Sequence, residues 1–247
     1  MKITDCVWEV ANIGKRTCEV LIEKNDSIEG GFLEDISSKY EYQVVKVESG
    51  NIQANIILSR HGFHLIETQI DIELKYSDFN YNDPLVKFLE ADTSFIDVEE
   101  TKDFEAIFER MTPNMFVSDR VALDPCFGLE VGYKRYCNWM RTSFDNKTAQ
   151  FFQMKYKGEH VGFSMYRVKD GIWHGDLGGV YPHYGNGLGL LTACGSFYYM
   201  KQRGLKIKKL VSAISSNNVP VIPTFNYCHY NFKNFKQVYV KHNNIEL

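Results

Sequence analysis

Three segments of alternating apolar residues, followed directly by a glycine-rich loop and a helical pattern, constrain this chain more than any other feature. Every second residue is apolar over 152–156 and over 161–165, with Gln153 on the other, polar face, and a third segment, 172–180, follows the turn signal Asp170-Gly171. A period of two with such a turn predicts an antiparallel meander. Behind the loop at 185–189 the period becomes helical. The order predicts a mixed α/β fold in which a strand feeds a glycine loop and a helix.

Two amphipathic helices are predicted before the meander. Apolar residues at helical spacing over 104–111 indicate the first, with Thr101 as its N-cap and Pro113 as its end. The spacing over 133–144 indicates the second.

The chain after the glycine loop continues as helix, strand, helix and strand. Leu191 to Tyr198 fall at helical spacing and Gly204 is a natural helix stop. A buried strand over 210–214, a short helix after Asn218 and a last strand near 237–240 follow.

The first half of the chain contains a partial echo of this pattern. The shift along the sequence that places Asn51 on Asn218 also places Phe63 on Tyr230 and the predicted strand 42–47 on the strand at 210–214. One internal match leaves duplication and coincidence both open. If the duplication is real, residues 1–94 are a copy that kept the fold and lost the glycine loop. Residues 95–247 are then the second unit, joined through the polar segment 76–94.

The glycine-rich loop Gly185-Asn186-Gly187-Leu188-Gly189 has the composition of an anion site. The first N–H groups of a helix have no internal partners, and the helix dipole adds positive charge there. Glycine lets the backbone approach a phosphate closely. The loop lacks the third glycine of a dinucleotide fingerprint and the Gly-Lys-Ser/Thr of a P-loop. A pyrophosphate cradle and a plain tight turn remain the two interpretations.

Composition and charge narrow the classes of protein further. The 247 residues carry a net charge of -3, which gives no basic surplus for nucleic acid. Six cysteines follow neither zinc nor disulfide spacing, and His61 and His64 have no third ligand nearby in sequence. No apolar run suits a signal peptide or a membrane span. We expect a reduced, soluble, cytoplasmic protein with no metal and no membrane or nucleic-acid partner.

The segment from Trp173 to Asn218 resembles the acyl-CoA motif of GNAT N-acyltransferases. Val180-Tyr181-Pro182 matches the family's strand end, and Gly187 and Gly189 take its two glycine positions. Tyr184 stands where the family has Arg or Gln. The resemblance covers roughly residues 98–242. It implies a GNAT fold, with a mixed central sheet flanked by helices and a degenerate GNAT-like N-terminal half, and acyl-CoA as co-substrate.

The resemblance also implies roles for individual residues. The strand before the loop splays from its neighbour, pairs with the pantetheine arm and offers a backbone N–H to the oxyanion. Phe225 replaces the family's tyrosine, so it cannot protonate the leaving thiolate. The implied coenzyme A contacts are Gly178, Gly179, Val180, Tyr184, Gly185, Asn186, Gly187, Leu188, Gly189, Asn218 and Phe225. For Asn218 an ordinary helix cap is the alternative.

A base must accept the proton of the attacking amine. Asp176 is the first candidate because it lies on the same strand a few residues before the loop. His174 shares its face of that strand and starts nearer the required pKa. Two solvent-facing edge residues, with proton transfer through water, are the alternative.

Within the family the chain is most similar to nucleotide-sugar N-acyltransferases of the dTDP-fucosamine acetyltransferase type. The match lies in Asp119, Arg120, Asp124 and Phe127 and in the helix ending Tyr136-x-x-Trp139. It implies transfer of an acetyl or 3-hydroxybutanoyl group to a dTDP-linked amino-dideoxy sugar for lipopolysaccharide O-antigen or capsule synthesis. Arg120 suits a phosphate and an aromatic ring suits thymine, whereas a surface turn is the structural alternative.

Three further interpretations stay open. A protein or peptide N-acetyltransferase is disfavoured by the length of 247 residues, because such enzymes are usually shorter. A non-catalytic acyl-CoA-binding protein is kept open by the replaced Tyr and Arg/Gln. A homodimer through strand edges of the meander is also compatible with the sequence.

Overall fold

The computed structural model describes residues 1–243 and folds them around one mixed sheet. Its strands are β1 Lys2–Asp5, β2 Thr17–Ile22, β3 Tyr42–Glu48, β4 His64–Lys75, β5 Thr93–Asp97, β6 Gln150–Tyr156, β7 Glu159–Lys169, β8 Ile172–Val180, β9 Lys209–Ser215 and β10 Asn231–His242. They lie in the order β1-β2-β3-β10-β4-β9-β8-β7-β6-β5. The β2–β3 and β8–β9 pairs are parallel, and the other pairs described are antiparallel. The predicted mixed sheet is therefore confirmed.

Helices cover both faces of this sheet. They are α1 Glu9–Ile13, α2 Phe32–Lys39, α3 Ile52–Arg60, α4 Pro84–Asp92, α5 Val98–Thr101, α6 Glu105–Phe108, α7 Arg120–Leu123, α8 Leu129–Asp145, α9 Gly185–Leu188, α10 Leu190–Arg203 and α11 Val221–Tyr227. Single 3-10 turns occur at Tyr76–Asp78, Pro113–Phe116 and Pro182–Tyr184.

Neighbouring residues of β6 show which helix covers which face. Phe151 packs in a core cluster with Met140 of α8, whereas Phe152 packs in another with Phe197 of α10. Because successive strand residues point to opposite faces, α8 and α10 lie on opposite sides of the sheet. We call these the α8 face and the α10 face.

The predicted meander forms β6, β7 and β8, and its last turn follows the sequence signal. Asp170 and Gly171 both have positive φ, 53° and 75°, as a two-residue type I′ turn requires. The polar face predicted at Gln153 is not a solvent face. This side chain is buried and donates to the carbonyl of Asp103 at 2.8 Å, because helices cover both sheet faces at β6.

The helix predicted from Thr101 to Pro113 is not continuous. Asp97, not Thr101, caps α5, which ends at Thr101. The apolar spacing over 104–111 covers only the single turn α6, because tertiary burial of Phe104, Ile107 and Met111 in the α8-face core produces the same apolar pattern without a long helix. The second predicted helix is confirmed as α8.

The internal repeat is visible in the element bounds. Under the shift that places Asn51 on Asn218, β3 coincides with β9 and β4 coincides with β10, at both ends of each strand. Under the same shift α3 lies close to α11 in sequence. The strand pairings obey the same shift, since Glu48 pairs with Lys236 and Gln69 pairs with Ser215. The last strand of each copy is exchanged, because β10 lies between β3 and β4, and β4 lies between β10 and β9.

The segment 76–94, which we predicted as the join of two units, is packed into the α10-face core. Phe79, Val86 and Leu89 are buried there, and the hydroxyl of Tyr198 donates to the Val86 carbonyl at 3.0 Å. The division at residue 94 stays a prediction.

Candidate active site

The strands β8 and β9 part in the middle of the sheet. Their parallel ladder ends at the pair Gly175–Ser212. Beyond it β8 runs on to Val180 beside β7, and β9 runs on to Ser215 beside β4. The structure therefore contains the splay that the resemblance implied, at the predicted strand.

A cavity of about 370 Å³ lies in this opening. Residues of both helix layers line it: Phe116, Tyr136 and Trp139 come from the α8 face, and Thr192, Val221 and Phe225 from the α10 face. A space lined from both layers passes through the sheet. Two ligands that enter from opposite faces would meet where β8 and β9 part.

A bulge and two glycines shape the β8 wall of the cavity. The register between β7 and β8 shifts where Tyr166 pairs with Gly175 and Met165 with Leu177, so Asp176 is the extra residue. A Cβ at Gly178 would lie 3.2 Å from the Phe163 carbonyl oxygen. Such bulges re-aim a strand. Past Gly175, the edge of β8 that faces β9 has no strand partner among the described residues, so its backbone is available to a ligand.

The glycine-rich segment 185–189 lies before α10, as predicted, but residues 185–188 form the short helix α9 rather than an open loop. Gly189 precedes the first residue of this 14-residue helix, and Gly187 has φ +85° with no atom near its missing Cβ. The hydroxyl of Tyr184 donates to Glu159 at 2.9 Å, which ties that side chain to β7. The surroundings of Gly185 and Asn186 lie outside the described part of the structure, so their contacts with coenzyme A stay predictions, as do those of Gly179, Val180 and Leu188.

Asn218 and Phe225 line the cavity on the α10 face. The side chain of Asn218 does not cap α11, whose N-cap is Pro220 without a side-chain hydrogen bond. Phe225 is buried edge-to-face against Tyr230, with ring centroids 4.8 Å apart. The position of the family's tyrosine therefore holds a core ring without a proton to donate.

Two nearby phenols are engaged elsewhere. Tyr230 donates its hydroxyl proton to the Ala193 carbonyl at 2.7 Å, and Tyr227 donates to Asp83 at 2.8 Å. Tyr166 does line the cavity, and burial raises the pKa of its phenol. The sequence pattern does not single it out, because Tyr166 falls out of step with the apolar alternation over 161–165.

The two predicted bases, Asp176 and His174, have different surroundings in the structure. Asp176 lines the cavity, but Arg167 holds both of its carboxylate oxygens at 2.5 and 2.6 Å. His174 lines a second depression of about 400 Å³, which shares Gly175, Asp176, Ser212 and Ala213 with the cavity. Neither candidate presents a free base to the opening between β8 and β9.

Of the four predicted acceptor residues, Asp119 and Arg120 line the α8-face half of the cavity. Asp119 caps α7 and accepts a 2.8 Å hydrogen bond from Tyr136. Arg120 lies 3.7 Å from buried Glu9, which also accepts two hydrogen bonds from Arg135 at 2.8 and 3.0 Å. These buried charges hold α1 against α7 and α8.

Asp124 and Phe127 lie outside the cavity. Buried Asp124 pairs with His242 at 2.8 Å, and Phe127 packs edge-to-face on Tyr42. The sequence predicted that they act together with Arg120 because all of them lie in one short segment of chain. In the fold their side chains instead pack into the core beside β3 and β10. The ligand atoms of Asp124, Cys126 and His242 lie within 4.8 Å of one another, so the expected absence of a metal stays a prediction.

The contribution of the first half of the chain to the cavity was not predicted from the sequence. Glu67 and Gln69 line it from the exchanged strand β4. The available signal was alternation: Glu67, Gln69, Asp71 and Glu73 are polar, while Ile70, Ile72 and Leu74 between and after them pack in the α10-face core. The polar row therefore lies on the α8 face. Only the strand exchange brings it to the opening.

Neither a known protein-family profile nor a curated protein matches the sequence. Solved structures do match its fold. A GCN5-related N-acetyltransferase from Sphaerobacter thermophilus superposes with a TM-score of 0.51 at 13% identity, over 83% of this chain and 62% of that one. A tandem GNAT protein from the clavulanic acid biosynthesis pathway gives 0.52 at 14%, over 92% and 75%. A conserved Staphylococcus epidermidis protein of unknown function gives 0.57 at 11%, over 92% and 84%.

Identities this low establish the fold alone. The described helices include none that is long and apolar enough to span a membrane. From these superpositions, the chain has the fold of the GCN5-related N-acetyltransferases, built here as two unequal copies with exchanged last strands.

Proposed function

We propose that this protein transfers an acyl group from acyl-CoA to an amine. The observation that carries the proposal is the cavity that passes through the sheet where β8 and β9 part. Acyl transfer to an amine needs two substrates that meet at one carbon atom. A gap between two strands, lined by residues of both helix layers, can hold a thioester and an amine close enough for direct attack.

The α10 face supplies the features for the acyl donor. The start of α10, directly after the glycine-rich segment, presents the positive end of the helix dipole to a pyrophosphate. The free edge of β8 at Gly178 and Gly179 can pair with the amides of a pantetheine arm. A backbone N–H of this edge then stabilises the oxyanion of the tetrahedral intermediate. The thiolate takes its proton from water, because Phe225 has none to donate.

The α8 face supplies the features for the acceptor. We infer a nucleotide-linked amino sugar, of the dTDP-amino-dideoxy type used in surface polysaccharides, with an acetyl or 3-hydroxybutanoyl group as the acyl chain. Two observations support this inference: Asp119 and Arg120 lie in the lining, and Phe116, Tyr136 and Trp139 form an aromatic wall beside them. Aromatic rings suit a nucleobase, and a guanidinium suits a phosphate.

The test is release of coenzyme A, followed with a thiol reagent. Acetyl-CoA and 3-hydroxybutanoyl-CoA are each offered with a panel of dTDP-amino sugars and with simple alkyl amines. We expect release that requires one acceptor. Binding of acyl-CoA without release under any pairing would contradict an enzyme and favour a non-catalytic acyl-CoA-binding protein.

A substitution in the acceptor half of the cavity tests the two halves separately. Ala213 lies in the lining on β9, with its side chain on the face opposite to buried Ile214. Ala213→Phe fills the acceptor half, so we expect the KM for the amine to rise at least about tenfold, or about 1.4 kcal/mol, while acyl-CoA binding stays unchanged. Val168→Phe, at an exposed position of β7, is the control and should change neither.

A further inference from the structure

We propose that Glu67 is the general base of this reaction and that the first copy of the fold thereby supplies a catalytic residue to the second. The inference rests on the proposed function. Glu67 lies on β4, which belongs to the first copy but occupies the place beside β9 in the sheet. The strand on this side of β9 therefore contains no residue of the motif segment 173–218.

The position of Glu67 places it at the opening. The pair Gln69–Ser215 is the last of the β4–β9 ladder. Glu67 lies two residues further along β4, on the same face as Gln69, and therefore extends past the end of β9. It lines the cavity together with Ser215 and Ala213. An amine that approaches from the α8 face reaches this carboxylate beside the gap between β8 and β9.

The other carboxylates of the cavity are already engaged. Asp176 is held by Arg167 through both oxygens. Asp119 accepts hydrogen bonds from the backbone of α7 and from the hydroxyl of Tyr136. Among residues 1–243, Glu67 has no Lys, Arg or His nitrogen within 4.0 Å. It is the cavity carboxylate with free capacity for a proton.

The surroundings of Glu67 make its carboxylate a stronger base than an exposed one. Burial raises the pKa of its carboxyl, against a hydrogen bond from Ser215 and the charge of Arg120, which lower it. Asp119, the N-cap of α7, raises the pKa further, and Lys46 on β3 lowers it. A carboxylate with a raised pKa accepts a proton from an ammonium group more readily than an exposed one.

The proton balance of the step is complete. The acceptor enters as an ammonium ion and gives one N–H proton to the Glu67 carboxylate. The freed nitrogen lone pair attacks the thioester carbon and forms the C–N bond. The C–S bond then breaks, and sulfur leaves with its electron pair. The second N–H proton passes through water to the thiolate, and Glu67 returns its proton to solvent.

The experiment compares Glu67→Gln with Glu73→Gln, a matched change on the same face of the same strand at a carboxylate held by Lys209 and Lys233. The readout is kcat/KM against pH with acetyl-CoA and the accepted amine. We expect Glu67→Gln to lose about 100-fold or more and to lose the acidic limb of the profile. Its dissociation constant for coenzyme A, measured by calorimetry, should stay unchanged. Glu73→Gln should keep both the limb and, within about twofold, the rate.

Two further measurements make the test specific for proton transfer. Hydroxylamine is largely neutral at assay pH and needs no base, so the loss in Glu67→Gln should be much smaller with it than with an alkyl amine. Carbon-13 labelling of glutamate side chains should show one carboxyl, absent in Glu67→Gln, that titrates at the acidic limb. If the wild-type enzyme turns over and Glu67→Gln keeps both the rate and the acidic limb of the pH profile, Glu67 is not the base, and the proposed function still stands. No wild-type turnover would overturn the proposed function itself.

Discussion

Corresponding strands of the two copies keep the same order and pairing register, but the copies differ where their parallel strands meet. In the first copy β2 and β3 pair through six residues each, from Thr17–Tyr42 to Ile22–Val47. In the second copy β8 and β9 pair through four and then part. The closed ladder contains Val20, Val45 and Val47, all buried. Under the shift that relates the copies, Val45 corresponds to Ser212, which lines the cavity.

The copies differ again at the helix that follows the first of these strands. In the second copy the short helix α9, which contains Gly187, and the 14-residue α10 follow β8. In the first, α2 has eight residues and starts after Gly31. The cavity lies where the ladder of the second copy opens, near the start of α10. The closed copy contributes instead through its exchanged strand.

The largest effect is expected where the second copy is most tightly packed. A Cβ at Gly195 of α10 would lie 1.5 Å from the ring of Phe95 on β5, which is buried. Gly195→Val forces the helix and β5 apart, so we expect a loss of about 3 kcal/mol or more in the free energy of unfolding, measured by urea denaturation. Gly30→Val in the first copy, with no atom within 4 Å of its missing Cβ, is the control. Equal losses in both variants would show that the α10–β5 contact is not the tight one.

A second pair of variants compares the closed and the open ladder directly. Val45→Ala removes buried methyl groups between β2 and β10, so we expect a loss of about 2 to 3 kcal/mol. Ser212→Ala at the corresponding position removes one hydrogen bond, from Ser212 Oγ to the Gly175 carbonyl at 2.6 Å, for about 1 kcal/mol. Thermal and urea unfolding measure both. A larger loss at Ser212 would mean that the open ladder of the second copy is packed as tightly as the closed ladder of the first.

A third pair separates backbone strain from ligand binding. Gly187 and Gly31 have nearly the same φ, +85° and +83°, and neither has an atom within 4 Å of its missing Cβ. Valine at either position is strained by about 1 to 3 kcal/mol. We expect Gly187→Val to weaken acyl-CoA binding about tenfold and Gly31→Val to leave it unchanged. Unchanged affinity in Gly187→Val would exclude the glycine loop as the pyrophosphate site.

The smallest effect concerns the strand exchange. Glu73 of β4 joins Lys209 of β9 at 2.6 Å and Lys233 of β10 at 2.7 Å. These hydrogen bonds lower the pKa of its carboxyl to about 2. A group whose folded pKa is lowered stabilises the fold above its unfolded pKa, about 4.3 for Glu. We expect Glu73→Gln to cost about 0.5 to 1 kcal/mol at pH 7.

The pH dependence checks that assignment. The difference between wild type and Glu73→Gln should be complete above about pH 4.3 and should disappear as the pH falls toward 2. A difference that persists at pH 2 would show that Glu73 acts by packing rather than by charge.

The local sequence pattern was enough to predict much of the secondary structure of the second copy. The meander, the Asp170-Gly171 turn, the helix after the glycine loop and its stop at Gly204 all depend on short-range preferences. The internal repeat was also readable, because corresponding strands keep their spacing along the chain. Apolar spacing over 104–111 misled, since burial in a core produces it without a helix.

From α8 onward the sequence by itself determined the order of strands and helices. It also determined the glycine-rich segment and the resemblance of its motif, because each depends on residues close together along the chain. Tertiary structure alone decided which side chains share the cavity. Glu67 reaches it through an exchange of strands between the two copies, whose segments lie far apart along the chain. Arg167 engages Asp176 across a bulge, and Asp124 turns into the core toward His242. Contacts between distant segments depend on the whole sheet, and no local preference encodes them.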